Sequence, residues 1–128
     1  MSKKRVLAAG VFDVFHAGHL HFLDQAAKLG DELVLLVTSD PVAKSEGKKP
    51  RFSASQRAAL LKRLKLADRV VIGRSDGDIL KTIRQLRPAV IALGYDQAFP
   101  KSWQRLLAKA NPRGTIVRLA RFRDGADH

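Results

Sequence analysis

The chain has 128 residues, 45% of them apolar, with a net charge of +12 and no cysteine. That length holds one domain and that apolar fraction one core, so a multidomain machine is excluded. Without cysteine there is no disulfide, thiolate metal site or cysteine nucleophile; the longest apolar runs are far too short to span a bilayer; and the polar, basic start lacks a signal-peptide core, so a cytoplasmic protein is expected.

In chain order, Arg5–Gly10 reads as a strand and Gly18–Leu29 as a helix. In that helix Leu20, Leu23, Ala26 and Ala27 form the apolar side and Gly30 is a natural stop. Glu32–Thr38 is a nearly continuous apolar run, the pattern of a strand covered on both faces. Asp40–Arg51 is polar, with glycine, proline and lysines, and reads as a mobile loop. Ser53 caps a helix running to about Leu64, with Gln56 as its capping-box partner. Arg69–Ile72 is a short strand, Asp76–Leu86 a helix ended by Arg87-Pro88, and Ala89–Leu93 a strand. Lys101–Ala110 is a helix and Thr115–Leu119 a last strand. This alternation implies an α/β fold: a single, doubly wound, Rossmann-like domain with a five-stranded parallel sheet and right-handed crossovers.

In such sheets ligands bind beyond the carboxyl ends of the strands, near the point where strand order reverses. His16 and His19 follow the first strand, Lys44 and Lys48 the second, Gly94-Tyr95-Asp96-Gln97 the fourth and Arg121 with Arg123 the fifth. The segment Gly10-Val11-Phe12-Asp13-Val14-Phe15-His16-Ala17-Gly18-His19 is the most telling. It joins a strand to a helix start, where backbone N–H groups and the positive dipole end attract phosphate. Two imidazoles three residues apart can both face an anion held there. Gly18 lets the backbone pass close to phosphate oxygens. Zinc is the competing account of the histidine pair, but a third ligand would have to be recruited from Asp13 or His21. The scattered positive charge suits a nucleic acid, a nucleotide triphosphate, or simply a solvated surface.

His16-Ala17-Gly18-His19 matches the HxGH signature of the nucleotidylyltransferase superfamily, and Gly10-Val11-Phe12-Asp13 resembles the G-T-F-D of its cytidylyltransferase-like branch, with Val11 in place of threonine. Leu29–Leu33, the lysine loop, Gln56-Arg57 and Leu93–Gln97 fall in the order found in archaeal-type FAD synthases and in glycerol-3-phosphate cytidylyltransferases. The resemblance extends over nearly the whole chain. It implies a nucleoside triphosphate and a phosphorylated acceptor bound side by side, in-line attack on the α-phosphorus, and departure of pyrophosphate. Catalysis would be positioning plus charge stabilisation.

By resemblance, His16, His19 and Lys48 are the catalytic residues. Val11, Phe12, His16, Gly18, His19, Asp96 and Arg121 hold the nucleotide, orienting the acceptor being the alternative for Asp96; Lys44, which shares the phosphate-binding task of Lys48, Arg57 and Tyr95 are substrate-binding. No protein metal site is implied, and Mg²⁺ would travel with the triphosphate. Ile91–Gln97 resembles the FAD synthases more than the glycerol-3-phosphate enzymes, which favours ATP and FMN as substrates; CTP with a phosphoalcohol is the alternative. A catalytically silent protein binding RNA or nucleotides is the rival from another class, though aromatic content of 6% offers no stacking platform for single strands. Nucleic acid and membrane are therefore not the expected partners. The resemblance leaves oligomeric state open, a homodimer being one outcome. The expectation is one nucleotidylyltransferase domain over 1–128, without the Ser/Thr-rich turn and last helix usual in such enzymes.

Overall fold

The computed structural model describes residues 3–13, 17–94, 101–111 and 113–119, without the side chains of residues 101–103 and 106. The elements run β1 (Arg5–Gly10), α1 (Ala17–Ala27), β2 (Glu32–Val37), α2 (Asp40–Ser45), α3 (Ala54–Leu64), β3 (Arg69–Ile72), α4 (Ile79–Leu86), β4 (Val90–Leu93), α5 (Lys101–Ala110) and β5 (Thr115–Arg118). All strand pairs are parallel and the sheet order is β3-β2-β1-β4-β5. The chain winds outward from β1 through β2 to β3, then returns to β4 on the other side of β1. The reversal falls between β1 and β4, where Val6 to Ala8 register against Val90 to Ala92. The five-stranded parallel α/β sheet read from the sequence is the sheet observed.

Alternation along the strands splits the core in two. Val6, Ala8, Leu33, Leu35, Val37, Val90 and Ala92 face one way, onto Leu23 and Ala26 of α1 and onto Ala54, Ala58 and Leu61 of α3. Leu7, Val34, Leu36, Ile91 and Leu93 face the other, onto Ile83 and Leu86 of α4 and Leu107 of α5. Both faces of β2 are thus covered, as its unbroken apolar run requires.

Local chemistry sets the boundaries. Ser53 and Gln56 form the reciprocal capping box of α3. Arg87 ends α4 in the left-handed conformation with φ 47° before Pro88. Gly30 closes the α1–β2 turn tightly: a Cβ there would lie 2.5 Å from the Lys4 carbonyl oxygen.

Two expectations need correction. The stretch after β2 is not all loop, because Asp40–Ser45 forms α2 with Pro41 in its first turn and Ser39 before it. Pro41 has a preset φ suited to a helix start, and the missing N–H costs nothing there. On α1, Leu20 is 48% exposed and Ala27 is exposed, while Leu23 and Ala26 are buried. The inward stripe is His19, Leu23, Ala26, so a polar side chain occupies a position that apolar counting gives to its neighbour. Among the described residues no helix is long and apolar enough to cross a membrane.

Candidate active site

β1 ends at Gly10, and the chain turns sharply. Phe12 adopts a left-handed backbone with φ 51°, a conformation that costs a bulky residue energy and persists only when its surroundings hold it. Here the Phe12 ring folds back over Gly10, where a Cβ would come within 3.0 Å of the ring carbon Cζ. The same buried ring meets His19 edge-on, with centroids 5.6 Å apart and planes inclined at 71°. Gly10, Phe12 and His19 are therefore one packed unit. It fixes the imidazole in the first turn of α1, beside the carboxyl end of β1 and one strand from the end of β4. The N–H groups and dipole end of such a turn attract anions.

The second wall is the lysine segment. α2 ends in a Schellman closure: the Gly47 N–H donates to Lys44 O at 3.0 Å and the Lys48 N–H to Ala43 O at 2.9 Å. Gly47 takes φ 77°, which the closure requires and glycine supplies. This fold-back brings Lys44 and Lys48 to the same cleft of about 410 Å³, whose lining also includes Asp40, Arg51 and Phe52.

A buried arginine joins the two walls. Arg57 is 1% exposed. Its Nε donates to Phe52 O at 3.0 Å, and its Nη1 to Val11 O at 2.7 Å and Thr38 O at 3.0 Å. Nη2 donates to Asp40 at 2.8 Å. The ends of β1, β2 and the lysine segment thus hang on one guanidinium. Asp13 adds a second link: its carboxylate accepts the Arg51 N–H at 2.9 Å and the Phe52 N–H at 3.0 Å. These bonds, the Arg51 one foremost, with the nearby arginines, hold the Asp13 carboxyl below its usual pKa. Asp40 is lowered likewise, first by the Ala54 N–H and then by Arg57.

Several of the site residues expected from the sequence can now be placed. Val11, Phe12, Gly18 and His19 lie together at the β1–α1 turn, and Lys44 and Lys48 line the neighbouring cleft. Arg57, expected among the substrate-binding residues, directs its donors to three backbone carbonyls and Asp40. His16, Tyr95, Asp96 and Arg121 lie outside the described residues. Gly94, at the end of β4, accepts a hydrogen bond from Arg118 Nη1 at 2.8 Å, so the segment carrying Tyr95 and Asp96 starts from a tied point at the reversal. The Asp13 and Asp40 clamps were missed. Arg57 could have been found, since Ala54, Arg57, Ala58 and Leu61 share the spacing of a buried helix stripe. Among the described residues no group of three or more metal-binding side chains occurs.

Comparisons with known proteins bear on the family and the fold. The model of the family described as cytidylyltransferase-like matches residues 7–120. A protein named FAD synthase from Thermoplasma volcanium is 44% identical over 118 residues, covering 92% of this chain and 81% of the relative. One of the same name from Pyrococcus horikoshii is 49% identical over 119 residues, covering 91% and 80%. A solved structure described as a lipopolysaccharide core biosynthesis protein from Thermoplasma volcanium superposes with a TM-score of 0.88 at 41% identity, over 95% of this chain and all of that one (100%). Pantoate-beta-alanine ligase from Francisella tularensis, at 13% identity and a TM-score of 0.60 over 95% of this chain and 60% of that one, shares the fold alone. With an HxGH sequence whose Gly18 and His19 lie in the first turn of α1, and a family match over residues 7–120, the chain belongs to the cytidylyltransferase-like family.

Proposed function

We propose that the chain is a nucleotidylyltransferase that joins ATP to FMN, yielding FAD and pyrophosphate. The observation that carries this is the likeness, at 44% and 49% identity over 92% and 91% of the chain, to proteins named FAD synthase. The site geometry is consistent with it.

In this reading the triphosphate lies across the first turn of α1. His16 and His19 donate to oxygens of the α-phosphate and of the leaving group, with backbone N–H groups near Val11 and Phe12 assisting. Lys48 neutralises charge that builds as the reaction proceeds, and Lys44 faces the acceptor phosphate. An oxygen of the FMN phosphate attacks the α-phosphorus opposite the bridging oxygen. The new P–O bond forms as the α–β bond breaks, and pyrophosphate leaves with the electron pair. No enzyme nucleophile is needed, and preorganised donors supply the acceleration. Asp96 and Arg121 serve the nucleotide and Tyr95 the acceptor. Asp13 and Asp40 already accept backbone N–H groups, so the divalent cation, Mg²⁺, enters as part of the triphosphate substrate.

The test is incubation with FMN and each nucleoside triphosphate, followed by chromatography. FAD formed with ATP is expected. Turnover of CTP with glycerol phosphate, and none with FMN, would overturn the choice of substrates. RNA retained at near-physiological salt, with no pyrophosphate released from any triphosphate, would overturn enzymatic function itself.

A further inference from the structure

The lysine-lined cleft carries a feature that phosphate binding does not explain. Phe52 is 49% exposed on its wall, the one aromatic residue among the large apolar side chains exposed in the described residues. Its exposure is not the result of a slack loop. The Phe52 N–H donates to Asp13 Oδ1 at 3.0 Å and its carbonyl accepts from buried Arg57 at 3.0 Å. Arg51 before it is tied to the other Asp13 oxygen at 2.9 Å, and Ser53 after it caps α3. A clamped backbone thus sets an exposed aromatic side chain at a cleft lined also by Lys44, Lys48, Lys49 and Arg51. The single carboxylate there, Asp40, is paired with Arg57. A volume of about 410 Å³ falls in the range of small-molecule sites, roughly 300–1,000 Å³.

We infer that this cleft is the acceptor subsite: Phe52 stacks on a planar aromatic ring while the surrounding cations take the phosphate ester attached to it. Rings and aromatic side chains gain from offset or edge contact, and a fixed platform loses little freedom on binding. Neither partner of a small phosphoalcohol would need such a face, so Phe52 selects for an aromatic acceptor. The choice of FMN as that acceptor rests on the reading above; ATP, through its adenine, is the other phosphate with an aromatic ring in the reaction, and the test separates the two.

Steady-state kinetics of Phe52→Ala, Phe52→Leu and Phe52→Trp, varying FMN at saturating ATP and the reverse, give the first measurement. Loss of one stacked ring should raise the KM for FMN about tenfold to a hundredfold in the Ala and Leu variants. The KM for ATP and the melting temperature should stay near wild type, and Trp should restore FMN affinity. Binding without turnover, by anisotropy of flavin emission, gives the second. Phe52→Trp should also quench bound flavin emission relative to wild type, which requires ring contact. An unchanged KM for FMN in Phe52→Ala, or a rise confined to ATP, would overturn the subsite. Wild-type chain that binds FMN in a Phe52-dependent way yet makes no FAD would support the subsite and refute adenylyl transfer.

Discussion

Replacing Arg57 by methionine probes the device that holds the site together. Methionine keeps much of the length but removes every donor. Three carbonyl oxygens, of Val11, Thr38 and Phe52, lose the bonds they receive at 2.7, 3.0 and 3.0 Å. Leaving a buried acceptor unmet costs about 1–3 kcal/mol, and breaking one side of a buried ionic contact about 3–5 kcal/mol. Water reaches Asp40, so the ion pair itself adds little. The carbonyls therefore set the scale, and a loss of about 3–5 kcal/mol is expected against a total stability of roughly 5–15 kcal/mol. For a domain of this size that lowers the melting temperature by about 10–20 °C. Arg57→Lys retains charge but not the planar fork, so it should recover only part of the loss. Thermal melts and urea titrations of the three proteins read the stability. At a temperature where all are folded, FAD formation should still fall in the methionine variant, because the β1 turn and the lysine segment lose their common anchor. A methionine variant that melts within a degree or two of wild type would show that these carbonyls do not depend on the guanidinium, and a lysine variant indistinguishable from wild type that its planar fork is not needed.

Other outcomes follow from the same geometry. His19→Ala should lower the rate of FAD formation roughly a hundredfold to a thousandfold, the scale of losing one preorganised donor; an unchanged rate in a chromatographic assay would remove His19 from the chemistry. Gly30→Ala would push a Cβ to 2.5 Å from Lys4 O and 2.8 Å from Val6 Cγ2. Calorimetry should find it destabilised by about 1–3 kcal/mol, and a neutral result would mean that the turn yields freely. Asp76 has its pKa held down, from 3.8 to about 2, by the Arg74 guanidinium first and then the Asp78 N–H. A carboxylate lowered on folding stabilises above its unfolded pKa and loses that contribution as pH falls through the folded one. Melting temperature should therefore drop between about pH 4 and pH 2, and Asp76→Asn should show a shallower drop; parallel curves would count against the pairing.

The sheet was legible because parallel strands must be covered on both faces, and Leu33–Val37 and Val90–Leu93 carry that requirement in their composition. The capping box at Ser53 and Gln56 was legible because it is purely local. What escaped depends on long-range partners. Helical spacing puts Arg57 on the buried stripe of α3, but its partners, the carbonyls of Val11 and Thr38, are remote in sequence and are brought to it only by the sheet. Asp13 reads as part of a motif, yet it spans 39 positions to hold Phe52. The α1 stripe is hard to read because His19, a polar residue packed on Phe12, sits where a hydrophobic residue would announce the inward face. The short helix α2 had its signal in Ser39-Asp40-Pro41, which the surrounding lysines and glycine obscured. Of the candidate site, the imidazole turn and the lysines are sequence expectations; the clamp that ties the β1 turn to the lysine segment is visible only in the structure.

In the proposed reaction a phosphorylated acceptor displaces pyrophosphate from a triphosphate held at the β1–α1 turn. ATP labelled at the α-phosphorus, incubated with FMN, Mg²⁺ and the chain, tests it directly. The label should move into FAD, in step with unlabelled pyrophosphate. Label recovered in ADP, retained on the protein, or left wholly in ATP would contradict the account.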